Sequence, residues 1–267
     1  MVILNRSPRR GTRTSDSQLS FVCNICSSAC TASNSDLHRE EPSCRKCNSN
    51  VRFRSVIAAL SCELHGRSLA LDDFPPTPHI IGLGTSDWEG YAMRLRRVLR
   101  YDNTYYDEQT RLDIMAPVPA ALAGSCDFIV SSDVLEHVAP PIELALSHLK
   151  EILKPGGVLV LTVPMKATGS TVEHFPDLHE YEVVSLGEDP VLVNRTRSGD
   201  LQVFDNLIFH GGPGLTLEMR MISLPHLLEQ LSQVGFVGIT EFNQSIPEHG
   251  IEWIEPSTWP ILAHAPI

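Results

Sequence analysis

Residues 126–163 limit the folds that this chain can adopt, because they contain an apolar strand, an amphipathic helix and a second apolar strand in direct succession. Residues 126–132 and 158–163 carry the apolar runs of strands that are covered on both faces of a sheet. Between them, apolar side chains recur at helical spacing over residues 142–153, and Pro155-Gly156-Gly157 is expected to end that helix. This order is typical of parallel strands joined by a covering helix, and it predicts an α/β fold.

The same alternation extends from residue 79 to residue 242. A late strand, helix and strand are expected to finish the sheet with an antiparallel member. The predicted elements are a first strand that runs from residue 79 into a glycine loop, a helix over 91–99, a second strand near 100–106, a third short element at 111–115, a strand at 215–222, a helix from Ser223 to Val234 and a last strand at 236–242.

Two Cys-x-x-Cys pairs dominate the first fifty residues, Cys23 with Cys26 and Cys44 with Cys47. Seventeen residues separate the pairs, which is the spacing of a zinc site with four thiolate ligands. Because each pair wraps a tight turn that aims two sulfurs at one ion, we expect a structural zinc module here. Disulfides are the competing interpretation, and they are rare in reducing compartments. Two side chains between the pairs are alternative ligands, Cys30 and His38.

Charge is unevenly distributed along the chain. Residues 1–67 contain ten Lys and Arg against five Asp and Glu, whereas residues 68–267 contain eleven against twenty-seven. The overall charge of −11 argues against a nucleic-acid partner, because an acidic surface repels phosphate. Basic residues near the cysteines are expected to offset the charge of four thiolates on one divalent ion. They are Arg39, Arg45, Lys46, Arg52 and Arg54.

Composition and cysteine usage divide the chain into parts. We expect a flexible tail at 1–20, a zinc-knuckle module at 21–70 and a main domain at 71–267, with an insertion of weak periodicity at about 165–208. The N-terminus lacks a signal-peptide core, and no apolar run approaches the roughly 20 residues that span a bilayer. The protein is therefore expected to be cytoplasmic, without membrane contact. Nothing in the sequence indicates the oligomeric state.

Several sequence features follow one another in a characteristic order. They are a glycine loop at 82–84, the segment Asp-Val-Leu-Glu-His-Val at 133–138, a helix, and Leu-Lys-Pro-Gly-Gly at 153–157 before an apolar strand. This order resembles that of the class I S-adenosylmethionine-dependent methyltransferases, over residues 79–164 in detail and 209–242 in outline. With its double zinc knuckle, the chain also resembles bacterial methyltransferases that carry an N-terminal zinc module. The resemblance implies a Rossmann-like seven-stranded sheet, with S-adenosylmethionine across the carboxyl ends of the first four strands.

The resemblance also implies which residues bind the cofactor at the first strand. Gly82 and Gly84 match the loop that lets the backbone approach the methionine portion of the cofactor. The family usually has an acidic residue just before this loop, where this chain has Ile81. Asp87 is the carboxylate that we expect to compensate for that difference.

The later strands supply the remaining cofactor residues that the resemblance implies. An acidic residue at the end of the second strand holds both ribose hydroxyls, because a carboxylate accepts two hydrogen bonds at once. Asp102 and Asp107 compete for this role, with Asp107 preferred. Asp113 matches the position beside the adenine, and Ser132 and Asp133 match the strand end that flanks the transferable methyl group.

Methyl transfer from a sulfonium is an in-line displacement, so the protein mainly aligns the acceptor and, for an oxygen nucleophile, removes a proton. Candidate bases are His137 at the sheet edge and His174, His179 and His210 in or beside the insertion. His174 has the most acidic surroundings, which raise the proton affinity of an imidazole. Its cluster is equally suited to bind a second metal or to cap the pocket. We expect a small-molecule or saccharide acceptor.

Three other functions compete with this hypothesis. A zinc-bearing interaction protein that keeps the methyltransferase fold without activity is suggested by Ile81, where the acidic residue is missing. An RNA methyltransferase is disfavoured by the acidic main domain. A nicotinamide-dependent oxidoreductase requires a third glycine at the position of Asp87.

Overall fold

The structure is a computed structural model, and it describes residues 17–106, 111–186, 189–210, 216–253 and 259–267. The helices in these ranges are α1 (Val51–His65), α2 (Glu89–Val98), α3 (Ile142–Ile152) and α4 (Leu224–Gln233). The longer strands of the first part are β1 (Gln18–Val22), β2 (Ala29–Ser33), β3 (Thr77–Thr85), β4 (Leu99–Thr104), β5 (Cys126–Ser132) and β6 (Leu153–Thr162). The later strands are β7 (Met165–Lys166), β8 (Val172–Glu173), β9 (Glu180–Leu186), β10 (Asp189–Arg195), β11 (Leu201–Phe204), β12 (Phe209–His210), β13 (Thr216–Leu217), β14 (Arg220–Ser223), β15 (Val237–Glu241) and β16 (Ile261–His264).

The central sheet has the strand order β15-β16-β6-β5-β3-β4. Strands β3 to β6 are parallel, whereas β16 runs antiparallel to both of its neighbours. The parallel core and its covering helices confirm the predicted α/β class. The sheet has six strands in the described part of the chain, where the resemblance implied seven.

The third element predicted at residues 111–115 is a turn that follows one bridge from Arg111 to Tyr105. Asp113 Oδ1 accepts a hydrogen bond from the backbone nitrogen of Met115 at 2.9 Å, and the Asp113 carbonyl accepts one from Ala116 at 3.1 Å. A side chain that satisfies nearby backbone amides competes with strand pairing. The short element predicted here is therefore a turn and adds no strand to the central sheet.

The β5-α3-β6 unit has the form that the sequence predicts. Helix α3 ends at Ile152 and Leu153 already has extended backbone, so β6 begins three residues before the glycines that were expected to end the helix. Gly156 takes a left-handed φ of +74° inside that strand. The buried face of α3 consists of Ile142, Ala145, Leu146, Leu149 and Ile152.

The last third of the chain departs most from the predicted order. The strand expected at 215–222 is two short strands outside the central sheet, because the Glu218 and Met219 amides between them donate to the carbonyls of Ile208 and Glu136. Strand β15 confirms the strand predicted at 236–242. The antiparallel member is β16, which the sequence did not predict and which lies between β15 and β6.

The N-terminal cysteine module packs directly on the central sheet. Strands β1 and β2 form a hairpin beside the cysteine turns, and residues 18–20, expected in the tail, already belong to β1. One apolar cluster contains Phe21 and Leu37 of the module, Leu60 of α1 and Phe128 of β5. The module and the sheet therefore share a core, and the boundary at 70–71 stays a prediction.

The segment predicted to be an insertion forms small sheets of its own. Strands β9, β10 and β11 form an antiparallel sheet, and β14 pairs with β7 and β8. A separate apolar cluster of Phe175, Leu192, Leu217 and Met219 supports them. The Met219 amide donates to the Glu136 carbonyl at 2.7 Å, which attaches this region to the residues that follow β5. Among the described residues, no helix has the length and apolar character needed to cross a membrane.

Candidate active site and metal-binding residues

The two Cys-x-x-Cys turns bring four sulfur atoms together. The Sγ atoms of Cys23, Cys26, Cys44 and Cys47 all lie within 4.8 Å of one another, with 3.7 Å from Cys23 to Cys47 and 3.6 Å from Cys26 to Cys44. Ligands bound tetrahedrally to zinc at about 2.3 Å stand about 3.8 Å apart, so this arrangement fits the ion. The hydrogen bond between Cys23 and Cys47 lowers the pKa of Cys23 and raises the pKa of Cys47, so one proton is shared between these two sulfurs when no metal is bound.

Both turns have the same backbone. Ser27 and Asn48, which follow the second cysteine of each pair, have left-handed φ values of +54° and +61°. Their amides donate to the carbonyls of Cys23 and Cys44, each at 2.8 Å. Of the alternative ligands, Cys30 lies outside the four-sulfur group although its Sγ is 3.4 Å from that of Cys44, and His38 is exposed.

The glycines predicted to form the cofactor loop lie within β3 instead. Gly82 pairs with Phe128, and a Cβ at Gly82 would collide with the Phe128 ring. A Cβ at Gly84 would collide with the Tyr101 hydroxyl and the Asp87 carboxylate. Both glycines lie in a strand, so the prediction that they form a loop is wrong. Their lack of a side chain leaves space for the neighbouring side chains that pack against the strand.

The turn after β3 depends on Ser86, which has a left-handed φ of +59°. The Ser86 amide donates to the Thr104 carbonyl at 2.7 Å, which ties the end of β3 to the end of β4. Sequence reasoning missed this residue because no glycine marks the position.

Asp87 follows this turn and is buried. Its Oδ2 accepts a hydrogen bond from the Tyr101 hydroxyl, and its backbone nitrogen donates to Asn103 Oδ1 at 2.9 Å. Burial raises the pKa of Asp87 to about 7. Its Oδ1 has no hydrogen-bond partner in the described part of the chain. Asp87 therefore lies at the carboxyl edge of the sheet as a partly unsatisfied acid.

A carboxylate that the sequence does not mark, that of Glu89 at the start of α2, lies against the end of the second strand, β4. Glu89 Oε1 accepts hydrogen bonds from Tyr105 at 2.6 Å and from Asn103 at 3.0 Å. The hydrogen bond from Arg96 lowers the pKa of Glu89 to about 2. Asp102 is exposed within β4, two residues before the strand ends, and Asp107 lies outside the described residues.

Ser132, the last residue of β5, and Asp133, which follows it, contact the cysteine module. Arg39 Nη1 donates to Asp133 Oδ2 at 2.8 Å, and its Nη2 reaches Oδ1. Arg52 donates to Ser132 Oγ at 2.7 Å and lies 3.2 Å from Asp133 Oδ2. These two arginines were expected to offset the negative charge of the thiolates, but they bind the edge of the sheet instead. Arg54 does lie buried near the cysteines, where it donates hydrogen bonds to Ser43 and Ser49.

Three of the candidate bases, His137, His174 and His210, come together around Glu218, whereas the fourth, His179, is exposed elsewhere. His174 Nε2 lies 2.8 Å from Glu218 Oε1, and His210 Nε2 lies 2.9 Å from Oε2. The rings of His137 and His210 meet edge to face with centroids 4.8 Å apart. Burial raises the pKa of the neighbouring Glu136 to about 8, and the charge of Asp133 adds to this effect. Sequence reasoning missed Glu218, since it lies 44 positions from His174 and no motif connects them.

A family model described as a methyltransferase domain matches residues 60–197, which is more than half of the chain. The chain belongs to the methyltransferase domain family. The match begins in α1 and includes β3 to β6, so it confirms the family predicted from residues 79–164. No curated protein sequence matches this methyltransferase.

Solved structures share the fold of this methyltransferase at low sequence identity. The CMeT domain of the citrinin polyketide synthase is 14% identical with a TM-score of 0.43, over 70% of this chain and 46% of that one. The CurJ carbon methyltransferase is 15% identical with a TM-score of 0.46, over 82% and 56%. CalS10 of Micromonospora echinaspora, an amino pentose methyltransferase, is 11% identical with a TM-score of 0.42, over 81% and 92%. This chain spans about half the length of the first two proteins.

Proposed function

We propose that this protein transfers the methyl group of S-adenosylmethionine to a small-molecule or saccharide acceptor. The methyltransferase domain carries the proposal, because its carboxyl sheet edge holds Ser132 and Asp133 next to the histidine cluster around Glu218. The net charge of −11 supports an acceptor that is not a polyanion.

The residues at this edge suit the cofactor in charge and hydrogen bonding. Asp87 Oδ1 and Arg39 Nε are both buried and have no hydrogen-bond partner among the described residues, so a bound cofactor could satisfy them. Guanidinium groups at Asp133 suit the carboxylate of a methionine portion. We assign the ribose to Asp107 and keep Asp113 as the candidate beside the adenine. When bound, the cofactor supplies an electrophilic methyl group on a sulfonium.

A hydroxyl acceptor must also lose a proton during the transfer. Glu218 fixes the orientation of both His174 and His210 through Nε2 of each ring, which leaves Nδ1 as the nitrogen that can accept a proton. We assign proton removal to His174, with His210 and His137 as the other candidates. The distance of each ring from a bound methyl group decides among them.

We also propose that Cys23, Cys26, Cys44 and Cys47 hold one structural zinc ion. Four protein thiolates leave no coordination position for water, which is the arrangement of structural sites. Because the module shares its core with the central sheet, zinc would stabilise the whole chain rather than a separate domain.

Calorimetry on the full zinc-loaded chain tests the main proposal. We expect S-adenosylmethionine and S-adenosylhomocysteine to bind, and NAD to give no heat. The variant Arg39→Ala, which removes one of the guanidinium groups assigned to the methionine carboxylate, should bind the cofactor more weakly, whereas Asp200→Asn, in an exposed loop, should bind like the unaltered chain. Binding of NAD instead would favour the oxidoreductase, and binding of neither ligand would favour the interaction protein.

A further inference from the structure

A cluster beside the proposed acceptor site has the composition of a metal centre. Glu136, His137 and His210 each offer one ligand atom, and these atoms lie within 4.8 Å of one another. Glu136 and His137 belong to the short turn Leu135–His137 after β5, and His210 belongs to β12. The methyl transfer proposed above gives no role to Glu136.

Glu136 is a carboxyl group that the fold buries without a partner. Its residue is 1% exposed, and neither Oε atom has a hydrogen-bond partner in the described part of the chain. A buried polar group in this condition is costly unless a ligand satisfies it. Glu136 Oε1 lies 3.7 Å from His137 Nε2, too far for a hydrogen bond. Two ligand atoms that each stand about 2.1 Å from one ion are separated by about 3–4 Å.

Each histidine has one ring nitrogen committed to a fixed protein group. His137 Nδ1 lies 2.9 Å from the Leu217 carbonyl, so its Nδ1 is the donor and its Nε2 carries a lone pair toward Glu136. His210 Nε2 donates to Glu218 Oε2, which leaves its Nδ1 as the second lone pair. Metal-binding histidines almost always donate their other nitrogen to a carbonyl or carboxylate in this way. The outer partners that a metal site needs are therefore present.

We propose that Glu136, His137 and His210 bind one divalent transition-metal cation. Two imidazoles and one carboxylate form a donor set that suits Zn²⁺, Mn²⁺ or Fe²⁺. The cation would satisfy the buried carboxylate, and three protein ligands would leave coordination positions open. This site is distinct from the four cysteines, whose sulfurs favour a closed zinc centre.

One use of the cation rests on the proposed function. An acceptor hydroxyl that binds an open position loses its proton more readily, because the cation stabilises the alkoxide. The proton would pass to His174, and the alkoxide oxygen would form the bond to the methyl carbon as the carbon–sulfur bond breaks. Cation binding itself requires no methyl donor, so the two proposals can fail separately.

Electron paramagnetic resonance with Mn²⁺ tests the site in the full chain with its cysteines loaded with zinc. We expect one bound Mn²⁺ per chain, or a second bound Zn²⁺ when zinc is the probe. Glu136→Gln and His210→Ala should each lower the affinity at least tenfold. Glu229→Gln, an exposed residue of α4, is the matched control and should bind like the unaltered chain.

Melting temperatures separate the loss of cation binding from the loss of folding in these variants. Without the cation, Glu136→Gln should melt no lower than the unaltered chain, because the substitution removes an unpartnered buried acid. If this variant fails to fold, His210→Ala decides, since His210 is partly exposed in a two-residue strand. The proposal is overturned if neither Mn²⁺ nor a second Zn²⁺ binds, or if the folded variants retain the affinity of the unaltered chain.

Discussion

Arg39 Nη1 and Asp133 Oδ2 lie 2.8 Å apart although 94 positions separate the two residues in the sequence. Arg52 approaches the same carboxylate from α1. The cysteine module is thereby fastened to the sheet edge at which we propose that the methyl donor binds. A ligand that uses Asp133 must share or displace these arginines.

Replacing Arg39 with Ala is expected to destabilise the fold by about 1–3 kcal/mol, because the half-buried Asp133 then keeps one arginine instead of two. Urea unfolding measures the loss. In the double variant with Asp133→Asn, the two effects should be less than additive, with a coupling of about 0.5–3 kcal/mol. Arg197→Ala, at an exposed position, is the control, and strict additivity would contradict a direct pair.

Stability should also depend on the protonation of Asp87. Burial raises its pKa to about 7, although Tyr101, Tyr91 and Arg52 oppose the shift and Glu89 adds to it. The folded chain keeps a proton that the unfolded chain releases, so this contribution to stability is complete below about pH 4 and is lost as the pH rises through 7.

The variant Asp87→Asn removes this loss while keeping an acceptor for Tyr101. Its free energy of unfolding should exceed that of the unaltered chain by about 4 kcal/mol at pH 8 and differ little at pH 4. Urea unfolding at the two pH values checks the prediction. An equal difference at both would show that the charge of Asp87 is not the cause.

Zinc content should follow the four cysteines. Protein purified under reducing conditions is expected to hold one zinc ion at these sulfurs, and changing Cys44 and Cys47 together to Ser should remove it and lower the melting temperature. Cys62→Ser, in α1, is the control and should keep the metal. Metal analysis decides, and full zinc in the double variant would refute the assignment.

The ribose assignment separates two aspartates. Asp107→Ala should weaken S-adenosylmethionine binding by about 1–3 kcal/mol, or roughly 5–150-fold, because the ribose hydroxyls lose their shared acceptor. Asp102→Ala should have little effect, since its exposed side chain lies before the end of β4. Calorimetry compares them, and unchanged binding in both variants would remove the ribose role.

The proposed base should affect turnover without affecting cofactor binding. His174→Ala is expected to reduce turnover about 10²–10⁴-fold while S-adenosylmethionine affinity stays nearly the same. Transfer from a methyl-labelled donor to a panel of saccharide and phenolic acceptors measures the rate. His79→Ala, at an exposed position of β3, is the control, and unchanged turnover in His174→Ala would move the search to His210 and His137.

The elements that sequence predicts well are those with strong local patterns. Helix α3 and strands β5 and β6 follow from apolar periodicity, and the cysteine cluster follows from spacing alone. Strand β16 has four residues, too few for a periodic signal. It is held by pairing with β6, about a hundred positions earlier, which no local pattern reports.

The candidate site was predictable only where a motif marks it. Ser132, Asp133 and His137 lie in a recognisable segment, whereas the Arg39 and Glu218 contacts join residues far apart in sequence. Gly82 was misplaced because a glycine that admits the Phe128 ring is indistinguishable in sequence from a glycine in a loop. Only the folded backbone separates these two uses.

The position of β16 inside the sheet also affects how this protein is made. A nascent chain that has reached residue 260 still presents the unpaired edges of β6 and β15, since the strand that joins them comes afterwards. Open strand edges promote association between chains, and pairings of long sequence separation form slowly. Pairing by residues 261–264 therefore closes two strand edges that would otherwise be open to association with other chains.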